Sequence, residues 1–290
     1  MIVGTRGSKL ATTQTQTVVN ELEDIIGEKI ETKIIKTTGD KITNSQLYNM
    51  DTKGIFTKEL DEALINGSVD FTVHSFKDLP SELNDQLIIT AIPKREAINE
   101  VLISNYKWDE LPQNATIGTS SIRREAFCKF HGKNIQPKPL RGNVETRIRK
   151  VEEGEYDATI MALAGIKRLG LEEHVQEVFD ENYIVPPAGQ GALAIMTHKD
   201  SEYNDVIKKL NHEDSRTEAL CEKALLEGLG VGCQWPVGII SKVNGDKISI
   251  SCKLLSPEGK LLADVNETTS IKKSIDTARA IGEKLKGATL

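Results

Sequence analysis

The chain has 290 residues, 38% of them hydrophobic and 28% charged, and a formal net charge of −6. This is the composition of an ordinary globular protein large enough for two or three domains. No segment reaches the roughly 20 apolar residues of a membrane span, and the acidic balance excludes general nucleic-acid binding, which needs a basic surface.

Taken in chain order, Met1–Thr5 predicts a short strand, with no basic-then-apolar leader before it, as expected of a cytoplasmic protein rather than a secreted one. Arg6-Gly7-Ser8-Lys9 then opens a helix with Ser8 as N-cap. A second β-like run, Val69–Val73, leads into His74-Ser75-Phe76-Lys77-Asp78-Leu79-Pro80, where Asp78 reads either as a turn residue or as a site carboxylate held at a strand end. Ile92-Pro93-Lys94-Arg95-Glu96 is a candidate crossing to a second domain. Ala115–Thr119 is the next strand, and Ser120-Ser121-Ile122-Arg123-Arg124 opens a helix carrying Ala126, Phe127 and Phe130. Pro139-Leu140-Arg141-Gly142-Asn143 ends a further strand and opens a helix with Val144, Ile148 and Val151 inward and Arg147 and Arg149 on other faces. Pro186–Gly191 is a candidate return crossing, followed by a strand Ala192–Met196. Beyond about residue 212 the pattern becomes helix, glycine loop, three strand-like runs and a last helix over 271–286, a small α+β domain.

Two features of this series point to chemistry. Arginines, hydroxyls and helix N-termini gather at three strand ends, where open α/β sheets bind ligands, so a multiply charged carboxylate or phosphate is the expected ligand. The long phosphate-binding Gly-Lys-Ser/Thr loop and the strand-borne Gly-x-Gly-x-x-Gly are both absent, which weighs against nucleotides. There is also an internal echo. Val3–Ser8 resembles Ile117–Ser121, and Gly67–Val73 resembles Gly154–Ile160, in the same order but at unequal offsets, as two similar α/β domains with different loops would produce.

The four cysteines separate by context. Cys252 alternates with Ile248, Ile250 and Leu254 on one strand face, and Cys221 shares a helical stripe with Leu220, Ala224 and Leu225; both read as small core hydrophobes. Cys128 is undecided. Cys233, in Gly232-Cys233-Gln234-Trp235-Pro236-Val237-Gly238, belongs to no apolar period and is either a functional thiol or an ordinary loop cysteine. No Cys-x-x-Cys or Cys/His pair has metal-ligand spacing, so no metal site is expected.

Together the segments His74–Pro80, Gly118–Arg124, Leu140–Asn143, Pro187–Ala192 and Gly232–Gly238 resemble the signature segments of the porphobilinogen deaminase (hydroxymethylbilane synthase) family, in that family's order. The resemblance implies two similar doubly wound α/β domains of the periplasmic-binding-protein type, residues 1–92 with 193–209 and residues 97–187, and a small α+β domain, residues 213–290. It implies a transferase of tetrapyrrole biosynthesis, monomeric and cytoplasmic, that joins four porphobilinogen molecules with loss of ammonia onto a dipyrromethane primer and then hydrolyses the product free. Cys233 matches the cysteine that holds the dipyrromethane cofactor by a thioether, and Asp78 matches the catalytic aspartate. Lys77, Asp78, Ser121, Arg123, Arg124 and Gly142 match residues around the cofactor, and Arg6, Ser8, Lys53, Arg141 and Arg147 match residues that bind substrate carboxylates. The sequence departs from the family pattern in two places: residues 47–52 lack a usual glycine pair and basic residue, and Glu96-Ala97-Ile98-Asn99-Glu100 stands where Asp-Pro-Arg-Asp is common. The alternative is a two-domain carboxylate-binding protein without catalysis, which fold alone does not exclude.

Overall fold

The computed structural model describes residues 1–41, 57–80, 82–230 and 235–289. Its strands are β1 (Ile2–Thr5), β2 (Glu31–Ile34), β3 (Phe71–Ser75), β4 (Leu87–Ala91), β5 (Glu100–Ser104), β6 (Ala115–Gly118), β7 (Ile135–Lys138), β8 (Ala158–Ala162), β9 (Glu177–Val178), β10 (Leu193–His198), β11 (Val237–Asn244), β12 (Lys247–Leu255) and β13 (Leu261–Ser270). The chain divides into two compact units, Met1–Arg95 with Ala192–Arg216 and Glu96–Gly191 with Thr217–Leu290.

The first unit is a five-stranded sheet in the order β2-β1-β3-β10-β4. β1 pairs parallel with β2 and β3, whereas β10 runs antiparallel to β3 and β4. Parallel neighbours need a crossover, and the helix Lys9–Ile26 supplies the one from β1 to β2. Ser8 starts that helix in an extended conformation, its Oγ accepting from the Ala11 N–H, and Gly27 ends it in the left-handed region at φ 73°. The helix buries Val18, Val19 and Leu22 in one core with Val3, Phe71 and Ile195. Strand β3 begins two residues later than the Val69–Val73 run predicts. Asp70 explains the shift, because its carboxylate and N–H bond the backbone of Ile2 and end the preceding turn there. His74 and Ser75 are therefore strand residues, and His74 is buried.

The second unit repeats the plan, with order β7-β6-β8-β5-β9, β6 parallel to β7 and β8, and β5 antiparallel to β8 and β9. The internal echo is one joint built twice. Ile2 N–H donates to Asp70 Oδ2 at 2.7 Å and Asp70 N–H to Ile2 O at 2.8 Å. Thr116 N–H likewise donates to Asp157 Oδ2 at 2.7 Å and Asp157 N–H to Thr116 O at 2.9 Å. In each copy a left-handed glycine, Gly67 or Gly154, turns the chain three residues before the aspartate.

A third sheet, the antiparallel meander β11-β12-β13, belongs to the second unit. Ile248, Ile250, Cys252 and Leu254 face its core as their alternation predicts, joined there by Cys221, Ala224 and Leu225 of the helix Glu213–Leu229. The helical stripe is displaced from the expected one: Ala219 is fully buried and Leu220 only half-buried. The last helix is Ser274–Leu285, with the preceding Ile271–Lys273 a 3-10 turn. Ile240 and Leu255 pack into the cluster of Ile117, Phe127 and Val185, which joins this sheet to the β6 layer. Cys128, undecided from sequence, lies in that same core.

The two long helices of this region meet at glycines. A Cβ on Gly282 would lie 2.2 Å from Leu225 O, and one on Gly228 would lie 2.3 Å from Arg279 O. Gly282→Ala is therefore expected to force the helices apart and destabilise the protein by about 1–3 kcal/mol, read as a fall of several degrees in Tm. Gly287→Ala, with open space around the added methyl, serves as the control. Equal Tm values for the two variants would contradict this packing.

Candidate functional site

In the first unit, Arg6 and Ser8 follow β1 while Lys77 and Asp78 follow β3, so two neighbouring parallel strands present them at their carboxyl ends. Thr15 Oγ1 donates to Thr5 Oγ1 at 2.7 Å, and Gln14 Nε2 donates to Ser75 Oγ at 3.0 Å, which pins the first helix to both strand ends. Beyond Ser75 the chain makes a 3-10 turn, Phe76–Asp78. Its root is fixed: Phe76 is buried and its N–H donates to Ala192 O at 3.0 Å. The turn thus carries Lys77 and Asp78 outward, both exposed, on an anchored base. His74, one turn below, has its Nε2 2.8 Å from Thr72 Oγ1, and burial together with the charge of Arg6 pushes its pKa down to about 4.

In the second unit, Ser121 caps the helix Ile122–Phe130, its Oγ accepting from Arg124 N–H. That cap brings Arg123 and Arg124 onto the first turn, where both meet Glu100, the first residue of β5. Arg123 is 7% exposed; its Nη2 bonds Glu100 Oε1 and its Nη1 donates to Val185 O at 2.6 Å. Arg124 lies against the same carboxylate edge-on, Nε to Oε1 at 3.2 Å and Nη2 to Oε2 at 2.8 Å. After β7, Arg141 and Gly142 lead to Asn143, which caps the helix Val144–Glu152 by accepting from Thr146 N–H at 3.0 Å and Thr146 Oγ1 at 2.6 Å. Gly142 sits at φ 118°, and a Cβ there would lie 2.7 Å from Thr146 Cγ2, so only glycine fits. Arg147 Nε donates to Gly142 O at 2.8 Å.

The electrostatics of this second group are lopsided. The pKa of Arg147 falls to about 10, first through burial and then through the like charges of Arg124 and Arg141. The Arg141 side chain has no hydrogen-bonding or ionic partner among the described residues. These guanidiniums lie at or beside the starts of two capped helices, whose first turns also carry Glu125 and Glu145, and their planar forked donors are of the kind that suits carboxylates. Arg149, by contrast, pairs with Glu153 on the exposed helix face and takes no part.

Cys128, Cys221 and Cys252 are free and buried, and burial pushes each thiol up to about 12, so none is a nucleophile at neutral pH. Lys53 and Cys233 lie outside the described residues. The residue that sequence reasoning missed is Glu100, wholly buried with two cations on it. Its signal was an acid opening the apolar strand Val101-Leu102-Ile103. No group of His, Cys, Asp and Glu side chains suited to a metal ion occurs among the described residues.

The chain is similar to known proteins over nearly its whole length. The family model for the porphobilinogen deaminase dipyrromethane cofactor-binding domain matches residues 1–205, and that for the porphobilinogen deaminase C-terminal domain matches residues 216–288. The probable porphobilinogen deaminase of Methanothermobacter thermautotrophicus is 51% identical over 284 residues, 98% of this chain and 97% of that protein. The porphobilinogen deaminase of Syntrophomonas wolfei is 44% identical over 264 residues, 89% and 86% of the two chains. Among solved structures, the methionine-binding protein MetQ covers 72% of this chain and 89% of its own at 13% identity, with a TM-score of 0.46.

His74 gives a pH test of the first strand end. Its folded pKa of about 4 lies below the unfolded value of 6.5. Folding therefore favours the neutral ring, a contribution present above pH 6.5 and lost progressively as pH falls toward 4. The drop corresponds to about 3 kcal/mol. Urea denaturation should show that loss between neutral pH and the low end of this window, and His74→Gln should be flatter by a similar amount. Parallel profiles for the two proteins would show that His74 is not buried as described.

Proposed function

We propose, on the premise that this chain belongs to the porphobilinogen deaminase family, that Asp78 stabilises the charge developed during reaction while Arg124, Arg141 and Arg147 hold ring carboxylates. The enzyme is a hydroxymethylbilane synthase, a transferase of tetrapyrrole biosynthesis that joins porphobilinogen units with loss of ammonia. The observation that carries the residue assignment is the gathering of Arg124, Arg141 and Arg147 at the Ser121- and Asn143-capped helix starts, near enough for Arg124 and Arg141 to act on Arg147, since every pyrrole of the substrate brings an acetate and a propionate.

The dipyrromethane cofactor fits the donors present. Lys77, Asp78, Ser121, Arg124 and Gly142 would hold it, and its sulfur link is assigned to Cys233. That assignment is supported by the inert state of Cys128, Cys221 and Cys252. When bound, the group supplies the free pyrrole α-carbon to which the first new ring is joined. Arg6, Arg141 and Arg147, assisted by Ser8 and Lys53, take the carboxylates of incoming porphobilinogen. Departure of ammonia leaves positive charge shared with the pyrrole nitrogen, and the Asp78 carboxylate, carried on an anchored turn, accepts the pyrrole N–H and lowers the cost of that charge. The same carboxylate serves while the α-proton of the newly joined carbon is lost. The domain limits 1–92 with 193–209, 97–187 and 213–290 accompany this reading, as does action as a monomer in the cytoplasm, where the free thiols of the core stay reduced.

Intact mass spectrometry of protein from a host that makes porphobilinogen checks the anchor. The expected mass exceeds the polypeptide by two porphobilinogen units less two ammonia. Cys233→Ser should lack the increment and turnover, and Cys221→Ser should keep both. An unmodified mass in wild-type protein from such a host, with no turnover, would favour the non-catalytic carboxylate binder.

The two roles separate in kinetics. Asp78→Asn should abolish most turnover while leaving the mass increment in place on already loaded molecules. Arg141→Gln should weaken elongation by about one to two decades, the worth of one charge-assisted hydrogen bond of about 1.5–3 kcal/mol. Near-normal kcat in Asp78→Asn would remove that carboxylate from the mechanism.

A further inference from the structure

We propose that Glu100 is the positioning residue of the guanidinium cluster: it fixes Arg123 as a buried strut and grips Arg124 by one edge, leaving the Nη1 end of Arg124 for a ring carboxylate. The inference rests on the reading of the arginines given above.

Glu100 is built so that it cannot move. It opens β5, is paired with Ala162 of β8, and its carbonyl accepts from Phe179 N–H at 3.0 Å, so its backbone is held on both sides. Its side chain is 0% exposed, and a carboxylate without water must keep its ionic partners. Arg123 has no freedom either. One end is on Glu100, the other on Val185 O, and the side chain is 8% exposed. Turning such an arginine toward a ligand would break its bonds to the buried Glu100 carboxylate and to Val185 O.

Arg124 is different. Its Nε and Nη2 occupy both oxygens of Glu100, which fixes the guanidinium plane. Its Nη1 has no partner among the described residues, and its charge acts on Arg147. The free edge of its guanidinium lies among Arg141 and Arg147 at the Ser121 and Asn143 helix starts, whose first turns also carry Glu125 and Glu145. A buried carboxylate thus turns one member of an adjacent arginine pair into structure and orients the other as a ligand donor.

The test uses Glu100→Gln, Glu100→Asp, Arg124→Gln and the Glu100→Gln/Arg124→Gln double variant, purified as full chains from a porphobilinogen-producing host. The readouts are the fraction of folded molecules carrying the cofactor mass increment, KM and kcat for porphobilinogen, and Tm. Arg124→Gln should reduce the loaded fraction or raise KM by about tenfold. Glu100→Gln should do the same in its folded fraction. The double variant should be no worse than the poorer single, because both changes remove one oriented donor. Glu100→Asp, which keeps the charge, should recover loading to between Glu100→Gln and wild type. Should Glu100→Gln not fold, Glu100→Asp alone decides, and wild-type loading and KM in it would overturn the proposal. Impaired Arg124→Gln beside fully loaded, kinetically normal Glu100 variants that have merely lost Tm would show a structural role only. Normal loading and KM in Arg124→Gln would instead overturn the arginine reading itself.

Discussion

The structure depends on an imbalance of charge. Arg123, Arg124, Arg141 and Arg147 lie at or beside the starts of two helices in the second unit, whose first turns also carry Glu125 and Glu145, and two of the four, Arg123 and Arg124, share the buried carboxylate of Glu100. Burial first, and then the like charges of Arg124 and Arg141, lower the Arg147 pKa, and a carboxylate beside these guanidiniums opposes both effects. In the proposed reading, the same forked donors would favour acetate- and propionate-bearing pyrroles over neutral or cationic molecules.

The fold serves that imbalance by placing strand ends and helix starts together. Each unit contains a five-stranded sheet with the same parallel and antiparallel pattern, its antiparallel fourth strand coming last in chain order in the first unit (β10) and first in the second (β5), and each uses an aspartate to clamp one parallel strand against the next. Such sheets direct the carboxyl ends of their central strands toward capped helices. Ser8 and Ser121 occupy the same place in the two copies, each following the first central strand and capping its helix. What differs is the chemistry then attached: an exposed carboxylate on a 3-10 turn in the first unit, guanidiniums around a buried acid in the second. The duplicated frame accounts for how one chain presents both an exposed carboxylate and clustered guanidiniums at strand ends.

Much of this was legible in the residues. The strand-end arginines, the Ser8 and Ser121 caps and the Cys252 alternation all follow from local periodicity, which short-range sterics and hydrogen bonding enforce. The echo at unequal offsets marked the duplicated sheets because Gly67 and Gly154, and Asp70 and Asp157, do backbone work that no other residue types do as well. What stayed hidden depends on contacts across long stretches of chain. Nothing near Glu100 announces that it meets Arg123 and Arg124, more than 20 residues away, and Cys128 could not be placed because its helix packs on β12, a strand 120 residues later. The β3 boundary was misplaced by two residues because Val69 looks like a strand residue, whereas the Asp70 clamp decides where the strand begins.

The most direct test is a crystal structure of the active enzyme as purified from a porphobilinogen-producing host. The account predicts continuous electron density running from Cys233 Sγ through two pyrrole rings, with ring carboxylates within hydrogen-bonding distance of Arg124 Nη1 and the Asp78 carboxylate at the pyrrole nitrogens. A bare Cys233 sulfur in fully active molecules, or pyrrole carboxylates seated away from these arginines, would contradict it.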